Sequence, residues 1–194
     1  MSFKHAIKVL HLDASARGLS LSTSRQLSNH LVTGLKTKFG ADVVTRDLAR
    51  GDLPIVNEPM AQGFFAKEKT PEMVKALELS DSLVKELQAC DLIVLGTPMY
   101  NFGTPASLKI YADLVARAGM TFKYTESGPV GLLNKRAIVT VSSGGTAIGS
   151  QVDFLTPWLK FYLNFIGVSD VTLVDGTKGQ LEAGKKHIDE LLQK

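Results

Sequence analysis

Asp91-Leu92-Ile93-Val94-Leu95-Gly96 decides the fold. Four apolar residues in succession stand between an aspartate and a glycine. The run is too short for a helix and lacks the alternation of a strand with one wet face. A strand buried on both faces reads this way, and such strands belong to parallel sheets covered by helices. Working outward, residues 136–141 read as another buried strand, 7–12 as a strand, and 43–48 and 171–174 as two further strands. Amphipathic stretches fill the intervals. Residues 22–39 place Leu27, Leu31 and Leu35 on one face and stop at Gly40, and Thr70-Pro71-Glu72 opens a helix reaching about residue 90. Further helices are read at 105–118, 154–166 and 181–192. Residues 49–70, interrupted by Gly51, Pro54, Pro59 and Gly63, are read as irregular. The order is βα five times over, which predicts a five-stranded parallel sheet in a three-layer α/β sandwich with right-handed crossovers.

Composition narrows the function. The chain has 194 residues, 22 Lys+Arg against 19 Asp+Glu, and a formal charge of +3. That charge is small and scattered, so no nucleic-acid partner is expected. No apolar run approaches transmembrane length, and residues 1–5 are polar rather than the start of a secretory leader. Cys90 stands alone, which excludes an intramolecular disulfide and a thiolate metal cluster. One cytoplasmic, metal-free domain over residues 1–194 is the expectation.

In an open α/β sheet the ligand lies beyond the carboxyl ends of the strands. Three loops should therefore converge. The first, DASARGLSLSTS at residues 13–24, has neither a GxGxxG fingerprint nor a GxxxxGK[ST] phosphate loop. It offers Ser15, Arg17 and Ser20, then Ser22, Thr23 and Ser24 where a helix begins, a place where hydroxyls and free N–H groups suit a phosphate. The second, Thr97-Pro98-Met99-Tyr100-Asn101-Phe102-Gly103, sets two aromatics and a methionine directly after a buried strand. They form an apolar shelf, and Asn101 adds amide donors and an acceptor, as a flat heteroaromatic ligand requires. In the third, Ser142-Ser143-Gly144-Gly145, paired glycines let backbone N–H groups reach a ligand. His11, alternating with Leu10 and Leu12, reads as structural, and Cys90 as a small core residue.

Together these segments resemble the FMN-dependent NADH:azoreductase/quinone reductase family, which has a flavodoxin-like fold. The resemblance rests on Ser15 with Ser22-Thr23-Ser24, the PMYNF run at 98–102, DLVARAG at 113–119, TFKYTE at 121–126 and the glycine pair at 144–145. It spans essentially the whole chain. One departure is a first loop that spaces Ser15 and Ser22 a residue further apart than the family pattern. The resemblance implies bound FMN, NADH or NADPH as donor, quinones and aromatic azo compounds as acceptors, and a homodimer with its sites at the interface. By it Ser15, Ser22, Thr23 and Ser24 hold the FMN phosphate, Met99, Tyr100, Asn101 and Phe102 line the isoalloxazine, and Ser142, Ser143, Gly144 and Gly145 meet its polar edge. Phe102, Tyr124 and Phe165 are the candidates for the substrate pocket. No catalytic side chain is expected, because the flavin carries the chemistry and the protein orients it. Turnover is expected to be ping-pong. A flavodoxin-type electron carrier is the alternative, but such carriers would be expected to be strongly acidic. A serine hydrolase would lack a base for its nucleophile.

Overall fold

The computed structural model describes residues 6–193. Five parallel strands form the sheet: β1 (Lys8–Asp13), β2 (Asp42–Asp47), β3 (Leu92–Pro98), β6 (Lys135–Ser142) and β7 (Val168–Asp175), in the order β2-β1-β3-β6-β7. The strand that decides the fold is at the centre, with Leu95 paired to Leu12 on one side and Val139 on the other. Its side chains alternate between two buried faces. Ile93 and Leu95 join Leu10, Leu83, Leu87 and Leu114 beneath α3 (Pro71–Ala89) and α4 (Ala106–Val115). Leu92 and Val94 join Leu27, Leu31 and Ile188 beneath α1 (Thr23–Phe39) and α6 (Leu181–Gln193). α5 (Leu155–Phe165) packs Leu155 and Leu159 into the first of these cores. With the five strands taken in chain order, the spatial sequence 2-1-3-4-5 is the flavodoxin-like arrangement, whose strand order reverses between β1 and β3.

Three differences from the sequence reading have local causes. Residues 49–70 hold a short helix, α2 (Glu58–Gly63), opened by the Asn57 side chain accepting from Met60 N–H. Gly63 is the contact with α3, since a Cβ there would lie 2.9 Å from Leu77. Next to it Phe64 lies under the buried Arg117 guanidinium, 5.0 Å from the ring centroid. Much of this segment thus folds onto its own core, with Leu53 and Met60 buried, while Ile55 and Phe65 remain exposed. Second, β4 (Phe122–Thr125) and β5 (Gly128–Gly131) make an antiparallel hairpin outside the main sheet. Third, β3 and β7 run further than their apolar cores, to Pro98 and Asp175, because the pairing continues into polar positions. Gly131 and Gly167 meet backbone to backbone, where a Cβ on Gly131 would stand 2.0 Å from Gly167 N.

Candidate functional site

A cleft of about 460 Å³ opens at the carboxyl ends of the strands, where the three predicted loops converge. One end is built by β1 and α1. Ser15 follows β1, and Ser22 is the N-cap of α1, its hydroxyl accepting from Arg25 N–H. Ser15, Ser22 and Thr23 line the cleft. The first turn of α1 holds no acidic residue, so the positive end of its dipole is uncompensated on the side facing the cleft.

Behind this wall lies a buried polar network. Arg25 Nη2 donates to the Ser15 carbonyl at 2.7 Å and to Asp47 Oδ1 at 2.6 Å, and Nη1 reaches Asp13 Oδ2 at 3.4 Å. Ser28 donates to Asp13 Oδ1 at 2.9 Å, and His11 Nε2 lies 3.0 Å from Ser28 Oγ. Serine, histidine and aspartate thus meet, but all three are buried and none lines the cleft, so they are no hydrolytic centre. His11 is structural, as its alternation predicts. Burial raises the Asp47 carboxyl, but the Arg25 hydrogen bond, Ala49 N–H and the Arg25 and Arg50 charges outweigh it and hold the group below its usual range. Gly96 is the space this network occupies: a Cβ would stand 2.4 Å from Asp13 Oδ1 and 2.8 Å from Ser28 Oγ.

The opposite wall comes from β3 and β6. Met99 N–H donates to the Ser142 carbonyl at 2.7 Å, extending the sheet ladder by one rung past Pro98. Tyr100 then pairs with Gly103 in both directions at 3.0 Å, closing a two-residue turn in which Asn101 (φ 49°) and Phe102 (φ 67°) are both left-handed. Asparagine tolerates this conformation, but phenylalanine is strained there, and strain of that kind is kept where the site needs it. The turn is fixed from two sides: Ala16 N–H donates to the Tyr100 hydroxyl at 3.2 Å, and Phe154 N–H to the Phe102 carbonyl at 3.0 Å. Asp153 secures the third loop by accepting from Gly149, Leu155 and Thr156 N–H and the Thr156 hydroxyl. Burial raises that carboxyl, but the four donors hold it below its usual range. If Phe102 serves the substrate pocket as the sequence reading expects, Phe102→Gly should leave thermal stability unchanged or raise it by up to about 1 kcal/mol, while raising the KM for the substrate. A melting temperature that falls with KM unaltered would count against a functional reason for the strain.

Of the residues singled out in the sequence, Ser15, Ser22, Thr23, Met99, Tyr100, Ser142, Ser143 and Gly144 all line the cleft. Others do not. Ser24 is fully buried, its hydroxyl 3.2 Å from Ser22 Oγ and its carbonyl accepting from Thr140, so it supports the wall from behind. Asn101 and Phe102 sit at the rim, Asn101 facing a shallower hollow beside Lys109 and Trp158, and Gly145 lies just beyond Gly144. Tyr124 and Phe165 do not line this cleft of their own chain. Both gather with Phe122, whose ring centroid is 5.3 Å from Tyr124 and 4.4 Å from Phe165. Phe165 also borders a second hollow with Val130, Phe161 and Gly167. Gly167 adjoins the start of β7, so this group lies at the far end of the sheet from Ser142. Helical spacing places a residue on a face of its helix, not at an end of the sheet. Missed as site residues were Arg17, Leu21, Lys178 and Gly179, which also line the cleft. Arg17 was visible in the first loop. Lys178 and Gly179 follow β7, in a fifth-strand loop without a motif. Among the described residues no helix is long and apolar enough to cross a membrane.

A family model of the flavodoxin-like fold matches residues 7–194. An FMN-dependent NADH:quinone oxidoreductase of Erythrobacter litoralis is 48% identical over 192 residues, covering 93% of this chain and 92% of its own. The chain belongs to the FMN-dependent NADH:quinone oxidoreductase family. It is accordingly an oxidoreductase. The kinship extends to solved structures: an azoreductase of Bacillus anthracis superposes with a TM-score of 0.87 at 27% identity, covering 96% of this chain and 98% of that one. An FMN-dependent NADH-azoreductase of Bacillus anthracis, solved in complex with FMN, gives 0.85 at 25% identity, with 96% and 98% covered.

Proposed function

We propose that this protein reduces quinones and aromatic azo compounds at the expense of NADH or NADPH, with FMN held in the cleft described above. The observation that carries the reading is the cleft's division of labour. Hydroxyls and helix N–H groups stand at one end, an apolar shelf and a bare glycine at the other, and no carboxylate lines it. A Cβ on Gly144 would meet no protein atom within 4 Å, so the space over that backbone is open to a ring edge. These residues fit FMN: Ser15, Ser22 and Thr23 its phosphate, Met99 and Tyr100 its ring, Ser142–Gly144 its polar edge. Bound FMN would supply the redox chemistry, accepting a hydride from the nicotinamide donor and passing the electrons to the acceptor. The chain's own part is to bind, to orient and to place backbone N–H groups of the third loop where negative charge develops. No protein nucleophile or base is required, in keeping with the burial of Ser28 and His11.

One shelf must receive the donor and then the acceptor, so turnover is ping-pong. Purified protein should be yellow or become so with added FMN, and initial rates at varied NADH and quinone should give parallel double-reciprocal lines. A protein that stays colourless and binds no FMN would sink the reading; intersecting lines would remove the shared shelf alone.

The site is completed by a second copy of the chain. Exposed large apolar side chains support this: Tyr124, Phe161, Ile55 and Phe65 are each more than 65% exposed. Tyr124 and Phe165, absent from their own cleft, are then available to the partner's. A closed, isologous pair is the simplest arrangement of such a face. Sedimentation equilibrium across a dilution series, with activity measured alongside, tests it. Dissociation should abolish quinone reduction; a fully active monomer would refute the shared site. A pool of reduced nicotinamide is a cytoplasmic supply, and that is where we place the protein.

A further inference from the structure

Two cations line the cleft and have no place in the functional reading so far. Arg17 belongs to the first loop and Lys178 to the loop after β7. No ion pair occupies either of them among the described residues, and no aspartate or glutamate lines the cleft. The nearest carboxylate in sequence to Lys178, Asp175, is turned to its own loop, where it accepts from Thr177 N–H at 2.7 Å. Lys178 is also held in place. Its N–H donates to the Ser143 carbonyl at 3.0 Å, Gly176 N–H donates to the Val141 carbonyl at 2.6 Å, and Thr177 Oγ1 lies 3.5 Å from Ser143 Oγ. These bonds stitch the fifth-strand loop onto the third. Gly176 brings it against α1 as well, since a Cβ there would stand 3.2 Å from Thr23 Cγ2. On the other side, Arg17 N–H donates to Ser15 Oγ at 3.2 Å. Each cation is therefore anchored through its backbone to a hydroxyl residue of the cleft, next to a helix end that is itself positive. Such an arrangement has one chemical preference, a dianion.

Resting on the flavin reading above, we propose that Lys178 and Arg17 recognise the phosphate of the bound flavin and make the cleft select FMN over riboflavin. A phosphate near pH 7 carries close to two negative charges, whereas riboflavin offers the same ring with none. Helix N–H groups and serine hydroxyls serve both ligands' polar tails. The side-chain charges discriminate.

The test is flavin fluorescence titration with FMN and with riboflavin, using the unmodified chain, Lys178→Met, Arg17→Met and the double variant. Both residues are exposed, so the variants should fold. The double variant is expected to lose FMN affinity by about tenfold, with riboflavin unchanged and the dependence of FMN affinity on salt flattened. Equal losses for FMN and riboflavin, or no loss for either, would overturn the proposal. An unmodified chain that bound neither flavin would instead overturn the functional reading beneath it. A dinucleotide donor also carries phosphates, so KM is measured for NADH and for the phosphate-free donor 1-benzyl-1,4-dihydronicotinamide. A rise for NADH alone, with FMN affinity intact, would overturn the assignment to the flavin and place the cations on the donor.

Discussion

Gly144→Val should weaken FMN binding by roughly a hundredfold, whereas Ser143→Ala should weaken it by less than about tenfold. Because a Cβ at 144 meets no protein atom, the variant chain has no reason to misfold. The same open space is where a ring edge would lie, so the β-branched side chain spends its bulk on the ligand alone. Gly145 has equal room around it but does not line the cleft, which makes 144 the sharper test of the paired glycines. Ser143 lends its hydroxyl chiefly to the Thr146 carbonyl, so its loss loosens a loop rather than filling a site. Fluorescence titration with FMN decides the matter: equal affinities in the two variants would dispose of the steric argument.

Arg25→Met should lower stability by about 3 kcal/mol, a fall of roughly 10 °C in melting temperature for a chain of this size. Removing the guanidinium leaves the Asp13 carboxylate buried without its cation, frees the Ser15 carbonyl and deprives Asp47 of its closest partner. The pH dependence has a definite sign. Asp47 is held below its ordinary range in the folded chain, so its contribution is present above the unfolded pKa and is lost as pH falls through the folded one. The deficit of the variant should be fullest at neutral pH and narrow below about pH 4, where carboxylates protonate in both proteins. Thermal melts from pH 3 to 8 would show it. A variant as stable as the parent at pH 7 would mean that the network stabilises nothing.

Those two residues also mark the limit of what could be read from sequence. Leu92–Leu95 and its companions announced the sheet because burial on both faces leaves no choice of side chain. The paired glycines, of which Gly144 does line the cleft, were legible as bare backbone. Arg25 was not, since an arginine in the first turn of a helix looks like a solvated surface residue until Asp13 and Asp47 are seen around it. Residues 122–131 hid their hairpin because two four-residue strands that form a ladder outside the main sheet need no apolar alternation. The Asn57 cap and Pro59 open α2, but Pro59 beside Gly51, Pro54 and Gly63 reads in sequence as one more interruption. Lys178 lies after a strand whose apolar run ends at Val174, and nothing in its local chemistry said that the loop would turn back across Ser143. Tyr124 and Phe165 show the opposite limit: chemistry suited to a pocket was legible, but the place at which it would stand, apart from the cleft of their own chain, was not.

The single rung from Met99 N–H to the Ser142 carbonyl has a consequence for ligand entry. It makes the two walls at the ring end continuations of the central strands rather than free loops. Their relative position is settled when the chain folds, so on the flavin reading proposed above the ring would meet its shelf and its glycine edge already in register. Backbone already tied into the sheet needs little ordering on binding, so the entropic cost of that step should be small on this side. The first loop is tied to that shelf more lightly, through Ala16 N–H donating to the Tyr100 hydroxyl, and is the wall with more freedom to adjust to a ligand.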